Sequence, residues 1–198
     1  MAKTKQLRGV KTKKHILETA LHLFSEKGYD NVTVEEIVKV SNTSKGSFYA
    51  HFNSKFEIFL EKFKEIDDFY IEVAQKVPPT MTAAEKVLSF VNSQMDFIQH
   101  ELGKDLMKVI YSSALSASNP RNYFLDQDRP MFKILRSFIE DGWAKNEIRK
   151  DIPIEDVLML LSRCMRGSIY DWCMHKNNFD LVEESRKLFL VMLAGLRT

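Results

Sequence analysis

The chain has 198 residues, of which 44% are hydrophobic and 28% are charged, as is usual for a globular protein of one or two small domains. No apolar run approaches the roughly eighteen residues of a membrane span, and the first residues lack the apolar stretch of a signal peptide. Cys164 and Cys173 would point to opposite faces of one predicted helix, which excludes a disulfide within it. We therefore expect a cytoplasmic protein with reduced thiols.

Charge is unevenly distributed along the chain. Residues 1–55 contain ten of the 29 Lys and Arg residues and five of the 27 Asp and Glu residues, so this part has a net charge of +5 and the rest −3. Six basic residues and no acidic residue precede Glu18. We interpret them as a disordered basic arm suited to phosphates or a DNA minor groove, with a solubilising tail as the alternative. The six are Lys3, Lys5, Arg8, Lys11, Lys13 and Lys14.

The first helix is predicted from about Lys11 to Lys27, where Gly28 ends it. Apolar residues recur along it with helical spacing and form a stripe that would be buried. His15 and His22 are seven residues apart on this helix, but no third ligand accompanies them. We therefore expect no metal site.

The stretch from Thr33 to Lys55 predicts two short helices joined by a tight turn. Thr33 and Glu36 have the spacing of a capping box, which begins a helix. Asn42 follows where the chain must turn, and Asn tolerates the left-handed conformation that ends a helix. Ser44 can cap a second helix that runs to about His51. Two short helices with such a turn form a helix-turn-helix.

The second of these helices carries hydrogen-bond donors and no carboxylate. Lys45, Ser47, Tyr49 and His51 are left for solvent or a ligand, and Gly46 would let the backbone approach a partner closely. Donors without acids suit a polyanion, and a helix in the DNA major groove needs such donors for phosphates and base edges. A merely polar surface is the alternative interpretation.

The same stretch resembles the DNA-binding signature of the TetR family of transcriptional regulators. Ala is usual in that signature at the positions of Val38 and Ser41, and Gly at that of Asn42. The resemblance implies that Lys45 and Gly46 approach base edges. It also implies phosphate contacts from Thr33, Ser44, Ser47, Tyr49, His51 and Lys55. The matching positions are Thr33, Ile37, Ser44, Lys45, Gly46, Tyr49, His51, Phe52, Ser54 and Lys55, and upstream Ile16, Ala20, Phe24, Gly28 and Tyr29.

Beyond the helix-turn-helix, the pattern predicts only helices, because no segment alternates with the period of a strand. Ser54 with Glu57 and Thr82 with Glu85 give two further capping boxes. We predict an all-α protein with a DNA-binding domain in residues 1–53 and a regulatory and dimerisation domain in residues 54–198. The predicted helices are Ser54 to Lys76, Thr82 to about His100, Gly103 to about Ser118, Pro130 to about Asn146, Ile154 to about His175 and Asp180 to about Leu196, with a loop that starts at Asn119–Pro120 and ends near Arg129–Pro130.

The predicted second domain is rich in Met and aromatic residues, which suit an apolar cavity between helices, with plain core packing as the alternative for each one. The candidate pocket residues are Phe63, Phe90, Met107, Tyr111, Phe138, Trp143, Met165 and Ile169. Apolar stripes on the last two helices resemble the pair that TetR-like proteins use to dimerise. The candidate dimer residues are Val157, Leu158, Leu161, Trp172, Leu188, Val191 and Met192.

The sequence contains no motif of hydrolases, nucleotide-binding loops, redox enzymes or metalloproteases. Adjacent acidic pairs, such as Asp67 and Asp68, diverge by about 100° on a helix and are interpreted as solvated faces. We therefore expect no enzymatic activity and no cofactor. Taken with the resemblance, the sequence predicts a homodimeric, ligand-responsive regulator of operator DNA, most simply a repressor. Recruitment of a protein partner through the second domain, or an enzyme using its cavity, are the alternatives.

Overall fold

The computed structural model describes residues 2–115, 123–176 and 179–198. These residues form two compact units, the first from residues 2–65, 108–115 and 123–124, the second from residues 66–107, 125–176 and 179–198. The predicted all-α class is confirmed, and in the described ranges the extended pairing is an isolated bridge between Ile148 and Arg197. The helices are α1 (Ala2–Lys27), α2 (Val34–Val40), α3 (Lys45–Tyr49), α4 (Lys55–Lys76), α5 (Ala83–Phe97), α6 (Gly103–Leu115), α7 (Pro130–Ala144), α8 (Ile154–Met174) and α9 (Leu181–Ala194).

Most helix ends agree with the sequence-based prediction, and two differ clearly. The prediction of a disordered arm before Lys11 was wrong, because α1 already begins at Ala2; its Lys, Gln, Leu and Arg residues are good helix formers. The α-helical part of α5 ends at Phe97 and continues as a π-helical turn to Leu102. Residues 116–118 of the predicted sixth helix and residues 119–122 of the predicted loop lie outside the described residues. The described part of that loop contains one short 3-10 turn, Tyr123–Leu125.

The core of the first unit is formed by α1, α2, α3 and the first turns of α4. Phe24 of α1 and Tyr29 contact each other edge-to-face, with ring centroids 5.1 Å apart. Phe48 of α3 is fully buried, and its ring lies 5.7 Å from that of Phe52. The buried Phe48 anchors α3 in this core although α3 has only five residues.

Both ends of α5 are tied to the rest of the second unit. The Thr82–Glu85 capping box is complete, and the Ala83 amide donates to Glu147 Oε2 at 2.6 Å. At the other end of α5, Gln99 Oε1 accepts a hydrogen bond from the Leu181 amide at 2.6 Å. Because Leu181 is the first residue of α9, this bond fixes the start of α9 beside the end of α5.

One acidic residue of α4 lies where the sequence-based interpretation did not expect it. Asp67 was predicted to be solvated, yet it is buried and forms an ion pair with Arg129 at 2.9 Å. Asp67 follows Phe63 by four residues and precedes Tyr70 by three, so it shares their buried face of the helix. The divergence of Asp67 from Asp68 on the helix does not decide whether either side chain is exposed.

The predicted domain boundary at residues 53 and 54 falls just before α4, and it stays a prediction. α4 itself has its first eleven residues in the first unit and the rest in the second. Among the described residues, no helix combines the length and the apolarity that a membrane crossing requires.

Candidate nucleic-acid interface

The first unit contains a helix-turn-helix formed by α2 and α3. Thr33 precedes α2 in an extended conformation, and its hydroxyl oxygen accepts a hydrogen bond from the Glu36 amide at 3.2 Å. Asn42 turns the chain with a φ of 50°, a conformation that Asn tolerates better than most residues. Ser44 then caps α3 by accepting from the Ser47 amide at 3.0 Å. The predicted turn and both N-caps are thus confirmed.

Of the three predicted capping boxes, the two in the first unit have acidic residues that bind other partners. The carboxylate of Glu36 accepts a hydrogen bond from Lys27 Nζ at 2.5 Å and so does not close the box at Thr33. The carboxylate of Glu57 reaches one residue further than predicted and accepts from the amide of Asn53 at 2.9 Å. Glu36 therefore stabilises the segment before α2, and Glu57 stabilises the segment after α3.

The outer face of α3 presents the predicted donors to solvent. Lys45, Gly46 and Tyr49 are exposed, with Tyr49 at 52%, and Ser47 is half-buried. Phe48 points inward and anchors the helix. His51, just after the helix, is half-buried. Lys45, Gly46 and Tyr49 are thus accessible to a partner, while Ser47 and His51 are partly covered.

Lys45 has a partner that the sequence-based interpretation missed. Its ammonium lies 2.6 Å from Glu35 Oε1, on the preceding helix. The hydrogen bond with Glu35 raises the pKa of Lys45, and the same bond lowers the pKa of Glu35. Both side chains are exposed, so this ion pair contributes little to stability and can exchange for a DNA group. Glu35 and Lys45 are ten residues apart on two different helices. The sequence does not give the angle between these helices, so it could not predict the ion pair.

Lys55 has a structural role within the first unit. Its ammonium donates to the carbonyl oxygens of Tyr29 and Val32, at 2.7 and 2.9 Å, and lies 4.3 Å from the centre of the Tyr29 ring. Partial burial lowers the pKa of Lys55. With two N–H groups committed to carbonyls, Lys55 has one N–H left for the predicted phosphate contact.

The basic N-terminal segment is a helical extension of α1 rather than a loose arm. A Cβ atom on Gly9 would lie 3.9 Å from His51 Cε1, so this part of α1 passes beside the end of α3. Arg8 and Lys11, on either side of Gly9, are exposed. The extension therefore places positive charge next to the donor face of α3.

Gly46 provides a test that separates the fold from DNA binding. A Cβ atom at Gly46 would meet only Ser44 Oγ, at the ordinary contact distance of 3.8 Å. Gly46→Ala should therefore leave the free energy of unfolding unchanged or raise it by up to about 1 kcal/mol, because Ala favours helices. If the backbone approaches a base edge here, the same change weakens DNA binding. Denaturant unfolding and a DNA titration check both outcomes, and an unchanged DNA affinity would exclude close approach at Gly46.

Lys45 provides a test of base contact. If Lys45 reaches a base edge, Lys45→Ala should cost about 1–3 kcal/mol of DNA-binding free energy and relax the preference at one position per half-site. Glu35→Gln is the matched variant, because it releases Lys45 from its ion pair and removes one negative charge. We expect Glu35→Gln to strengthen DNA binding. A uniform loss across DNA sequences in Lys45→Ala would instead show that Lys45 only neutralises phosphate.

The candidate pocket residues are divided between the two units. Phe63 and Tyr111 belong to the first unit, where Phe63 stacks on Tyr123 at 3.8 Å. The others belong to the second unit, and the rings of Phe90 and Phe138 meet edge-to-face at 6.0 Å. Trp143 is half-buried and donates its indole N–H to the Arg149 carbonyl oxygen at 3.1 Å. Met107, Met165 and Ile169 are buried.

The candidate dimer residues are found on two different faces of the last helices. Leu188 and Val191 of α9 are exposed, with Val191 at 75%, and Met192 is half-buried. The α8 candidates are buried inside the chain's own second unit and offer little surface to a partner. They are Val157, Leu158, Leu161 and Trp172.

The exposed face of α8 has a different set of residues. Leu160 and Gly167 lie on it, seven residues apart and therefore on one side of the helix. A groove of about 480 Å³ between α8 and α9 is lined by Gly167 and Leu188, among others. Within the ranges that the structure describes, no three His, Cys, Asp or Glu side chains converge on an arrangement that could hold a metal ion.

Comparison with known proteins agrees with this geometry. The sequence profile of the bacterial regulatory proteins of the tetR family matches residues 16–61, which include α2 and α3. The HTH-type transcriptional regulator AcrR of Shigella flexneri is 26% identical over 204 residues, covering 96% of this chain and 91% of that protein. The match therefore extends through both units.

Two solved structures show the same fold over nearly the whole chain. A candidate TetR-family transcriptional regulator from Syntrophomonas wolfei has a TM-score of 0.78 at 23% identity, covering 94% of this chain and 96% of that one. The transcriptional regulator FadR from Bacillus subtilis, solved in complex with stearoyl-CoA, has a TM-score of 0.74 at 20% identity, covering 93% and 99%. The predicted division into a helix-turn-helix followed by a helical C-terminal part is thereby confirmed.

Proposed function

Because the chain belongs to the TetR family of transcriptional regulators, and is therefore a DNA-binding regulator and not an enzyme, we propose that it is a homodimeric repressor released from operator DNA by a small ligand. The donor face of α3 is the observation that carries this proposal. Lys45 and Tyr49 are exposed there, while Phe48 fixes the helix from inside. The surface thus offers hydrogen-bond donors to the phosphate and base-edge acceptors of a duplex.

We assign DNA contacts by position on this face. Lys45 and Gly46 would approach base edges. Arg8 and Lys11, on the helical extension, would add positive charge near the phosphates. The remaining candidates would bind phosphates, and Lys55 would do so with its one remaining N–H. These candidates are Thr33, Ser44, Ser47, Tyr49, His51 and Lys55.

We assign the dimer contact to the exposed face of α8 and α9. Leu160, Leu188 and Val191 are apolar and exposed there, and exposed apolar patches of this kind mark interaction sites. A Cβ atom at Gly167 would meet no atom within 4 Å, so a partner helix can approach closely at that point. A second copy of the chain in two-fold symmetry would present two α3 helices to a near-palindromic operator.

We assign the effector to the second unit. Its aromatic residues, such as Phe90 and Phe138, suit a ligand with an apolar body. The FadR structure, similar in fold, contains stearoyl-CoA, whose acyl chain is long and apolar. α4 is continuous from the second unit into the first, so a shift of α4 on ligand binding would change the placement of α3 for its half-site. A ligand acts in this way only if it binds the two states with different affinities.

The experiment that tests the switch uses the two tryptophans, Trp143 and Trp172, both in the second unit. A compound that binds there should change the emission of at least one of them. Linkage then requires that the compound bind more weakly to the DNA-bound protein, by the same factor by which it weakens DNA binding, typically about 5- to 150-fold. Equal affinity in the presence and absence of DNA would show that the compound is no effector. A broad screen without any binder would favour recruitment of a protein partner instead.

A further inference from the structure

A carboxylate lies beside the donor face of α3. Glu35 is the second residue of α2, and its Oε1 lies 2.6 Å from the ammonium of Lys45, the first residue of α3. The side chains of Lys45 and Glu35 are 58% and 63% exposed. A carboxylate on a surface that binds DNA is repelled by the phosphates and so lowers the affinity. A hydrogen bond from a base to Glu35 would offset this cost.

The ion pair keeps hydrogen-bonding capacity for a further partner. The ammonium of Lys45 has three N–H groups, of which one is directed at Glu35. Two N–H groups can therefore donate to other acceptors. An ionised carboxylate accepts up to about four hydrogen bonds, so Glu35 can accept another one while it is paired. The pair thus presents a donor and an acceptor side by side, 2.6 Å apart.

A G·C base pair has the complementary groups in its major groove. Guanine O6 is an acceptor and the N4 amino group of cytosine is a donor. A Watson–Crick hydrogen bond joins these two groups, so they are about 2.7–3.2 Å apart, close to the separation of the ion pair. With Lys45 over guanine and Glu35 over cytosine, the ammonium can donate to both O6 and N7. The carboxylate can accept from cytosine N4.

The other three base pairs match less well in the same orientation. With A·T, Lys45 would face the amino group of adenine and Glu35 would face O4 of thymine. With C·G the mismatch is the same, donor against donor and acceptor against acceptor. T·A fits at O4 and N6, but the thymine methyl group then lies on the side of Lys45 and adenine N7 repels Glu35. The ion pair therefore favours G·C.

We propose that Glu35 and Lys45 together recognise one G·C base pair in each half-site, with Lys45 on guanine and Glu35 on the paired cytosine. This inference rests on the proposed base contact of Lys45 and adds Glu35 as a specificity-determining residue. Because the ion pair stays intact on DNA, neither charge is left without a partner when water leaves the interface. Gly46, next to Lys45, has no side chain that would hold α3 away from the base edges.

The test begins with selection of bound DNA fragments by wild type and by Lys45→Ala, which locates the base pair that Lys45 recognises. The selected operator is then prepared in three altered forms. One has T·A in place of that pair, one has N4-methylcytosine, whose methyl group covers the donor for Glu35, and one has 7-deazaguanine, which lacks the N7 acceptor.

The operators are titrated with wild type, Lys45→Ala, Glu35→Ala and Glu36→Ala. Glu36→Ala is the matched control, because it also removes one negative charge from α2, whereas Glu36 pairs with Lys27. The measured quantity is the ratio of the affinities for two operators, so a uniform gain in affinity from the lost charge does not affect it.

The proposal predicts a specific pattern across these titrations. Wild type should prefer G·C over T·A by about 5- to 150-fold, the range that corresponds to 1–3 kcal/mol. Glu35→Ala should lower this ratio about fivefold, as expected for the loss of one hydrogen bond, and Glu36→Ala should keep the wild-type ratio. N4-methylcytosine should weaken binding of wild type but not of Glu35→Ala. 7-Deazaguanine should weaken binding of both, but not of Lys45→Ala.

Three outcomes would overturn the proposal: equal affinity of wild type for cytosine and N4-methylcytosine, an unchanged ratio in Glu35→Ala, or a base pair other than G·C at the position that Lys45 recognises. The modified operators decide the question with wild type alone if Glu35→Ala does not fold. Failure of the proposed operator is a different result, because wild type would then select no consensus and both proposals would fall. A consensus with a uniform loss in Lys45→Ala would overturn only the recognition of G·C by the ion pair.

Discussion

Replacing Phe48 by alanine should lower the free energy of unfolding of the first unit by about 3–5 kcal/mol. Phe48 is fully buried and contacts the rings of Tyr49 and Phe52 at 5.4 and 5.7 Å. α3 has five residues, too few to be stable without packing. Because small domains are stable by only about 5–15 kcal/mol, we expect this loss to remove most of the DNA-binding activity as well.

The measurement is denaturant unfolding together with amide hydrogen exchange of residues 2–65. Tyr49→Ala is the matched control, because Tyr49 is the exposed neighbour of Phe48 on the same helix. This control should keep nearly the wild-type stability and exchange protection while it weakens DNA binding. A Phe48→Ala protein as stable as Tyr49→Ala would contradict the assignment of Phe48 as the anchor of α3.

Replacing Gly142 by alanine should lower the free energy of unfolding by about 2 kcal/mol through overpacking. Gly142 lies in α7, and a Cβ atom there would be 2.5 Å from Ala83 Cβ and 2.7 Å from Ile148 Cγ1. Ala83 is the first residue of α5, so neither neighbour is the end of a long flexible side chain. α5 and the segment after α7 must therefore move apart. The packing free energy lost in this way exceeds the free energy gained from the higher helix propensity of alanine.

Gly46→Ala is the matched control, because it makes the same change in α3, where the nearest atom to the new Cβ is Ser44 Oγ at the ordinary contact distance of 3.8 Å. There alanine should stabilise each chain by up to about 1 kcal/mol. The two variants are compared by thermal and denaturant unfolding at one protein concentration. Equal stability changes in the two proteins would contradict the close packing at Gly142.

The helix-turn-helix could be predicted because its caps and its turn are determined by residues that are close together in the sequence. Caps at Thr33 and Ser44 and the turn at Asn42 depend on residues three or four apart, and the structure contains all three. The donor face of α3 was predictable for the same reason, since Phe48 and Phe52 fix which side is buried. The ion pair of Lys45 with Glu35 was not predictable, because it depends on the angle between two helices.

In the second unit, local sequence patterns did not determine which apolar faces are buried or which charged residues pair. In α8 both the buried Leu161 and the exposed Leu160 are apolar, so a hydrophobic stripe could not distinguish the core from a partner surface. Asp67 was interpreted as solvated from its sequence neighbour, although its helical spacing from Phe63 and Tyr70 indicated burial. Its partner Arg129 is 62 residues away, and such a pairing depends on the tertiary fold.

The most direct test of the central claim, that α3 binds a two-fold operator, is selection of bound fragments from random double-stranded DNA with the full chain. We predict a consensus of two inverted half-sites, with Lys45→Ala relaxing one position in each half-site. Recovery of fragments without any common sequence, or of a single half-site without a symmetric partner, would contradict it.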